Sequence, residues 1–266
     1  MRFARVVRAL AAVSALALLP TLAFAQGAMT NGANHAGTIG GPGEVDVWTF
    51  SATQGEAIIV RIGEVVRIPD SGFNPWIRVL DTGGNLVFGG SQSNSLVAEV
   101  STTAALTGTY TVEVRSNDAG LDGEGDYVLR LARAPEGQTA GDEGGQLVSG
   151  AAHPGVIDIG DLDIWTFTAA QNDTFIVRIG EDLPGAPDPG FNPWIRVFDT
   201  QGSLVFGGSQ SNTLVTEVSG TASLGGTYTV VVTTGDANYD GTGAYDLRLA
   251  TARDMTSVPG GDEGGE

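Results

Sequence analysis

The 266-residue chain has no cysteine and no lysine, and only two histidines and three methionines. Without cysteine there is no disulfide, no thiolate chemistry and no lipidated N-terminal thiol, so stability must come from buried cores. Small secreted domains often rely on disulfides, but units of roughly 105 residues can bury a core without them. Without lysine, 13 arginines face 31 Asp and Glu, a net charge of −18. That balance excludes the basic stripe of a nucleic-acid binder and repels anionic lipid. A chain with two histidines and neither lysine nor cysteine is also poorly equipped for nucleophilic or general-base catalysis. The long apolar run Ala9–Leu19 spans eleven residues, well short of the roughly 20 needed to cross a bilayer. After it, helical periodicity is hard to find.

What is present begins with Arg2, Arg5 and Arg8 ahead of that run and Ala23-Phe24-Ala25 after it. This is the pattern of a secretory signal cut after Ala25, implying a secreted or periplasmic chain that starts at Gln26. Ten arginines would then face 31 acidic residues, a net charge of −21. Such acidity keeps an extracellular protein soluble and makes cations more natural partners than polyanions.

The strongest signal is a repeat. Residues 72–100 return at 190–218 with 24 of 29 positions identical, and the match runs on from VDVWTF (45–50) against LDIWTF (162–167) to GTYTV at 108–112 and 226–230. Within each copy, short alternating segments are separated by Gly, Asn and Asp turns: Val45–Ser51, Ala57–Ile62, Trp76–Leu80, Leu86–Phe88, Leu96–Val100, Tyr110–Val114 and Tyr127–Leu131 in the first. These read as strands of a β-sandwich. Alternation in Trp76–Leu80 turns Ile77 and Val79 to the core and puts Trp76 and Arg78 on the other face, with the same split at Trp194, Ile195, Arg196 and Val197. The expected organisation is a signal peptide (1–25), a first sandwich (26–134), a Gly-rich acidic flexible linker (135–147), a second sandwich (148–253) and a disordered acidic tail (254–266). Linker and tail share the string GDEGG, at 141–145 and 261–265.

The order Gly37-Thr-Ile, Asp46-Val-Trp-Thr-Phe50, Asn74–Asp81 with Gly84, Gly108–Val112 and Gly125–Leu131 resembles the bacterial pre-peptidase C-terminal domain. The second copy resembles it through Asp163–Phe167, Asn192–Asp199, Gly226–Val230 and Gly243–Leu249. The resemblance implies tandem jelly-roll-like antiparallel β-sandwiches, an accessory role in secretion or substrate binding, and, in some relatives, calcium or collagen binding. Where many members carry an acidic cluster after the glycine turn, this chain has Phe88-Gly-Gly-Ser-Gln-Ser-Asn94 and Phe206-Gly-Gly-Ser-Gln-Ser-Asn212. No peptidase domain is expected before the two modules.

Two constellations stand out. Asp236-Ala-Asn238-Tyr-Asp240-Gly241 spaces oxygen ligands at alternate positions before a glycine, like the first half of an EF-hand loop. Its counterpart is Asp118, Asp122, Glu124 and Asp126. Position twelve is Leu247, so a complete EF-hand is excluded. Either calcium binds here with help from other loops such as Asp46 or Asp163, or these are Asp/Gly hairpin turns bonded to their own backbone. The second constellation is Trp76 and Arg78 with Trp194 and Arg196. It is either a ligand platform for an extracellular protein or polysaccharide or a cover for the outer sandwich face, with Trp48 and Trp165 in the cores. His35 and His153 lack further ligands at zinc spacing and read as turn residues. Ser91 and Ser93 are not in a G-x-S-x-G elbow. The chain therefore reads as a non-catalytic binding protein, with a pure spacer as the rival.

Overall fold

The computed structural model of the protein describes residues 23–67, 72–91, 95–141, 143–182, 190–209 and 214–252. The apolar run Ala9–Leu19, the ends of the two GGSQSN segments (92–94 and 210–212) and the tail 254–266 lie outside the described residues. No described helix is long and apolar enough to cross a membrane.

The first module contains β1 (Ala23–Ala28), β2 (Asn34–Ile39), β3 (Val45–Ala52), β4 (Ala57–Glu64), β5 (Pro75–Leu80), β6 (Leu86–Ser91), β7 (Val97–Thr103), β8 (Gly108–Ser116) and β9 (Gly125–Ala134). They form a five-stranded sheet, β1-β3-β8-β5-β6, facing a four-stranded sheet, β2-β9-β4-β7. Setting aside β1, successive strands distribute between the sheets in jelly-roll order. The second module repeats this with β10 (Gly144–Gln146), β11 (Ala152–Ile157), β12 (Asp163–Ala169), β13 (Thr174–Asp182), β14 (Pro193–Phe198), β15 (Leu204–Ser209), β16 (Val215–Thr221), β17 (Gly226–Thr234) and β18 (Gly243–Thr251). Its sheets are ordered β10-β12-β17-β14-β15 and β11-β18-β13-β16.

Ladders are antiparallel except at β1–β3 and β10–β12, which are parallel. The expected alternation is met: Ile77 and Val79 are fully buried between the sheets, with Trp48, Phe50 and Tyr110 in the same core. Ile195, Val197, Trp165 and Phe167 do the same in the second module. β2 escaped the sequence reading because NHAGTI contributes a single buried side chain, Ile39. The turn before GTYTV is closed by its own tyrosine: Tyr110 Oη donates to the Leu106 carbonyl at 2.8 Å, and Tyr228 repeats this on Leu224 at 2.9 Å.

In the stretch 135–147, expected to be a flexible linker, the described residues Gly137 and Thr139 are hydrogen-bonded to the first module. Asn31 Nδ2 donates to the Gly137 carbonyl at 2.9 Å, Asn31 Oδ1 accepts from Arg133 N at 2.7 Å, and Thr139 N donates to the Asn31 carbonyl at 3.2 Å. Gly144–Gln146 then enters the second module as β10. Composition predicted freedom because it counts side chains, whereas Gly137 and Thr139 are held through their backbone groups.

The modules pack against one another. A separate apolar cluster joins Ala57, Ile59, Ala132 and Ala134, on the outer face of the first module's four-stranded sheet, to Leu162, Ile164, Phe198 and Val231, on the outer face of the second module's five-stranded sheet. Backbones touch at Gly63 and Gly160: a Cβ on Gly63 would lie 2.2 Å from the Ile159 carbonyl oxygen. Gly202 likewise admits no side chain, with the Ala134 carbonyl oxygen 2.5 Å from the place of its Cβ.

Candidate functional site

The two Trp/Arg pairs, alike in sequence, meet different surroundings. In the second module Arg196 is buried, its guanidinium 4.2 Å from the Trp194 ring centroid, and Tyr239 stacks near the same indole at 6.2 Å. Arg196 reaches across to the first module, where Glu99 accepts at 2.7 Å from Nη1 and at 3.2 Å from Nη2. Glu99 also holds Arg61 of its own module, at 2.9 Å from Nε. Arg61 donates through Nη1 to Thr233 Oγ1, which itself donates to the Asp161 carbonyl at 2.9 Å. Arg130 completes the seam with Asp161 at 2.8 Å and the Ile159 carbonyl at 3.2 Å. Burial alone would raise the Glu99 carboxyl, but Arg196 and Arg61 hold it down at about 2. The Trp194 face is therefore the docking surface between the modules.

In the first module the equivalent face is open. Trp76 is half-buried, with the Arg115 guanidinium 4.0 Å and that of Arg78 5.7 Å from its ring. Arg78 turns along its own sheet to Glu113. An indole between two guanidiniums, rimmed by a carboxylate, can accept an aromatic, a carboxylate or another sheet surface. Sequence alternation found this face, and only the folded chain distinguishes its occupied copy from its open one.

The acidic hairpins are built around Asp118 and Asp236. Asp118 Oδ1 accepts from Ser116 Oγ at 2.6 Å and Gly123 N at 3.0 Å, and Oδ2 from Gly120 N at 3.0 Å and Asp122 N at 3.2 Å. Those donors, the Ser116 hydroxyl foremost, hold its carboxyl far below the usual range. Asp236 repeats the pattern with Thr234 Oγ1 at 2.7 Å, Gly241 N at 3.1 Å, Asn238 N at 3.1 Å and Asp240 N at 3.3 Å. Asp240 is raised by burial and by the neighbouring Asp236 carboxylate. Asp126 points elsewhere, to Thr38 Oγ1 at 2.8 Å and to Arg67, and Glu124 is exposed. Among the described residues no three His, Cys, Asp or Glu side chains converge as a metal group. The donor set does not fit a calcium cage: the carboxylates that would lead it already face their own backbone N–H groups. The second loop has another task. Ser95 Oγ of the first module donates to the Asn238 carbonyl at 3.2 Å, and Tyr239, held at φ 60°, lies 5.2 Å from the Arg61 guanidinium.

Asp46 and Asp163 are buried in a different arrangement, which sequence reasoning missed. Trp48 Nε1 donates to Tyr127 Oη at 2.9 Å, and Tyr127 Oη donates to Asp46 Oδ2 at 2.6 Å. Trp165, Tyr245 and Asp163 repeat it at 3.0 and 2.5 Å. Burial, followed by the Asp46 carboxylate, pushes the Tyr127 phenol far up, so it stays a donor. The ring lies over Gly37, where a Cβ would come within 2.3 Å of it, which explains the glycine of Gly37-Thr-Ile. Each histidine closes the loop before β2 or β11. His35 Nε2 accepts from Thr30 N at 2.9 Å while Nδ1 faces the Leu129 carbonyl at 3.2 Å, and His153 does the same with Val148 N at 3.1 Å and Leu247 O at 3.3 Å. Both rings meet their module's tryptophan edge-on at 5.4 Å.

No family model and no curated protein matches the chain. Among solved structures it is similar to the pre-peptidase C-terminal domain of collagenase from Bacillus anthracis, at 22% identity over 42% of this chain and 97% of that one, with a TM-score of 0.32. It is similar to PliG, a periplasmic lysozyme inhibitor of g-type lysozyme from Aeromonas hydrophila, at 13% identity over 42% of this chain and 99% of that one, with a TM-score of 0.34. It is also similar to the tandem CBM51 modules of Sp3GH98 from Streptococcus pneumoniae, at 12% identity over 77% of this chain and 81% of that one, with a TM-score of 0.26. Likenesses at this level are of fold alone.

Proposed function

We propose that the protein is a secreted or periplasmic, non-catalytic binding protein whose two jelly-roll modules act as one rigid unit, with the Trp76 face of the first module as its binding surface. The observation that carries this is the difference between the two Trp faces. In the second module Arg196, beside Trp194, grips another sheet through the Glu99 carboxylate and is 4% exposed, whereas in the first Arg78, beside Trp76, is 41% exposed. The face is thus suited to a protein surface bearing an exposed carboxylate, which favours protein over polysaccharide among extracellular partners. Each histidine commits both ring nitrogens to the backbone, which supports a chain without a general base.

A cut after Ala25 falls within β1: it removes Ala23, Phe24 and Ala25 from the pairing with β3 and keeps Gly27 and Ala28 opposite Trp48 and Thr49, with Gln26 Nε2 donating to Asp46 Oδ1 at 2.7 Å. β10 performs the same task with three residues.

The test is binding of the immobilised protein to separate panels of envelope proteins and cell-wall polysaccharides, with Trp76→Ala alongside. Saturable binding to either panel that Trp76→Ala abolishes without lowering the melting temperature supports the reading. A protein that binds neither panel is a rigid spacer, the role that the docked modules would favour instead.

A further inference from the structure

The seam between the modules is not self-complementary. The outer face of a four-stranded sheet receives the outer face of a five-stranded sheet, so each docked pair leaves one of each unused. The unused receiving face, on the second module, repeats the used one. Ile59, Arg61, Glu99, Arg130 and Ala132 have Ile176, Arg178, Glu217, Arg248 and Ala250 as counterparts. Their cross-strand registers are the same: Arg61 lies opposite Glu99 and Arg130, and Arg178 opposite Glu217 and Arg248.

What differs is cover. Ile59 is 1% exposed and Ile176 41%; Val97 is fully buried, whereas its counterpart Val215 is 42% exposed. Arg178, Glu217 and Arg248 are exposed, where Arg61 and Arg130 are buried. Gly63 is required because the Ile159 carbonyl lies where its Cβ would be, yet its counterpart Gly180 has open space in that direction and no positive φ to account for it. The unused inserting face, on the first module, offers Trp76 and Arg78 for Trp194 and Arg196. It also presents half-buried Val45 and Val47 where Leu162 and Ile164 are buried.

We propose that the partner of the Trp76 face is a second copy of this chain, which presents the outer face of its second module's four-stranded sheet, so that chains join head to tail through a repeat of the internal seam. This deepens the reading of the Trp76 face as a binding surface and rests on it. Arg78 of one chain takes the place of Arg196 and meets Glu217 of the next. The inserting face is more polar than its counterpart on the second module, with Glu113 and Arg115 in place of Val231 and Thr233. The receiving face answers with Asp246 where the first module has Val128. Fewer apolar contacts and no covalent tether make the joint weaker than the internal one, because tethering supplies an effective concentration of about a millimolar. The joint is heterologous, so growth continues past the dimer into chains or closes as a ring.

Sedimentation velocity of the two-module protein up to about 1 mM tests this, at low and high salt. The expected result is a mass that rises with concentration beyond two copies and falls with salt. Arg78→Glu and Glu217→Arg, both at exposed or half-exposed positions, are each expected to stay monomeric and folded, with a slightly lowered melt because each sets a like charge opposite its own cross-strand neighbour, Glu113 or Arg178. Mixed, they should recover growth, since the native pair forms at alternate joints and the carboxylate introduced by Arg78→Glu meets the guanidinium introduced by Glu217→Arg at the others. A wild-type protein that remains monomeric throughout overturns self-assembly while leaving the Trp76 face to the protein and polysaccharide panels. Assembly that stops at a dimer, or that persists in either single variant, overturns the head-to-tail joint.

Discussion

The Glu99 carboxylate of the first module and the Arg196 guanidinium of the second form a forked pair, Nη1 to Oε1 at 2.7 Å and Nη2 to Oε2 at 3.2 Å. A buried ion pair roughly breaks even against its desolvation. The affinity of the seam therefore comes mainly from Leu162, Ile164, Phe198 and Val231, whose side chains each contribute about 1.5–3 kcal/mol when fully buried. The ion cluster sets register.

Glu99→Ala leaves Arg61 and Arg196 facing each other without a carboxylate. Breaking a buried pair from one side costs about 3–5 kcal/mol, but separation of the modules lets water solvate both guanidiniums and limits the loss. The expected outcome is a larger radius of gyration by small-angle scattering and a melt that splits in two.

Acid should reach the seam and the first module at different points. Glu99 has a folded value near 2 against an ordinary 4.5, so its contribution is present above about 4.5 and is lost as pH falls towards 2. His35 is lowered from 6.5, chiefly by burial. Its neutral form, which accepts from Thr30 N, contributes fully above about 6.5 and is lost as pH falls below that. Melts at stepped pH should show a shallow loss beginning below 6.5 and a further one below 4.5. The second should be missing from Glu99→Ala.

Tyr127→Phe removes the hydroxyl between Trp48 and Asp46. A buried indole N–H and a carboxylate oxygen each lose a partner, and hydrogen bonds to charged groups contribute about 1.5–3 kcal/mol. Chemical denaturation should show a loss of that size with an unchanged slope, and Tyr245→Phe should repeat it in the second module.

Calcium should leave the melt unchanged at millimolar concentration relative to excess chelator, because a cation stabilises only where it binds the folded state and Asp118 and Asp236 already accept four hydrogen bonds each. Asp118→Ala should lower the melting temperature by several degrees with or without the ion. A calcium-dependent rise lost in Asp240→Ala would reverse this account of the loop.

Gly63→Ala and Gly37→Ala should separate two kinds of glycine. The first drives a methyl into the Ile159 carbonyl and should open the seam while leaving each module folded. The second drives one into the Tyr127 ring and should destabilise the first module itself. Small-angle scattering combined with near-ultraviolet circular dichroism distinguishes the outcomes.

The sequence by itself determined the modules. Period-two alternation, turn glycines and a repeat of 24 in 29 positions specify which side chains enter each sandwich, because burial on one sheet face is a local, periodic requirement. Trp76 and Arg78 could be placed on the outer face for the same reason. Only the tertiary structure decided what that face meets. Near-identical strands, Trp76–Leu80 and Trp194–Phe198, end in different surroundings because one lies against a neighbouring module and the other does not. The bonds from Asn31 to Gly137 and Thr139, the Trp48–Tyr127–Asp46 chain and the Arg61–Glu99–Arg196 seam join residues 38 to 108 positions apart, and no periodicity in a single sequence encodes contacts of that kind.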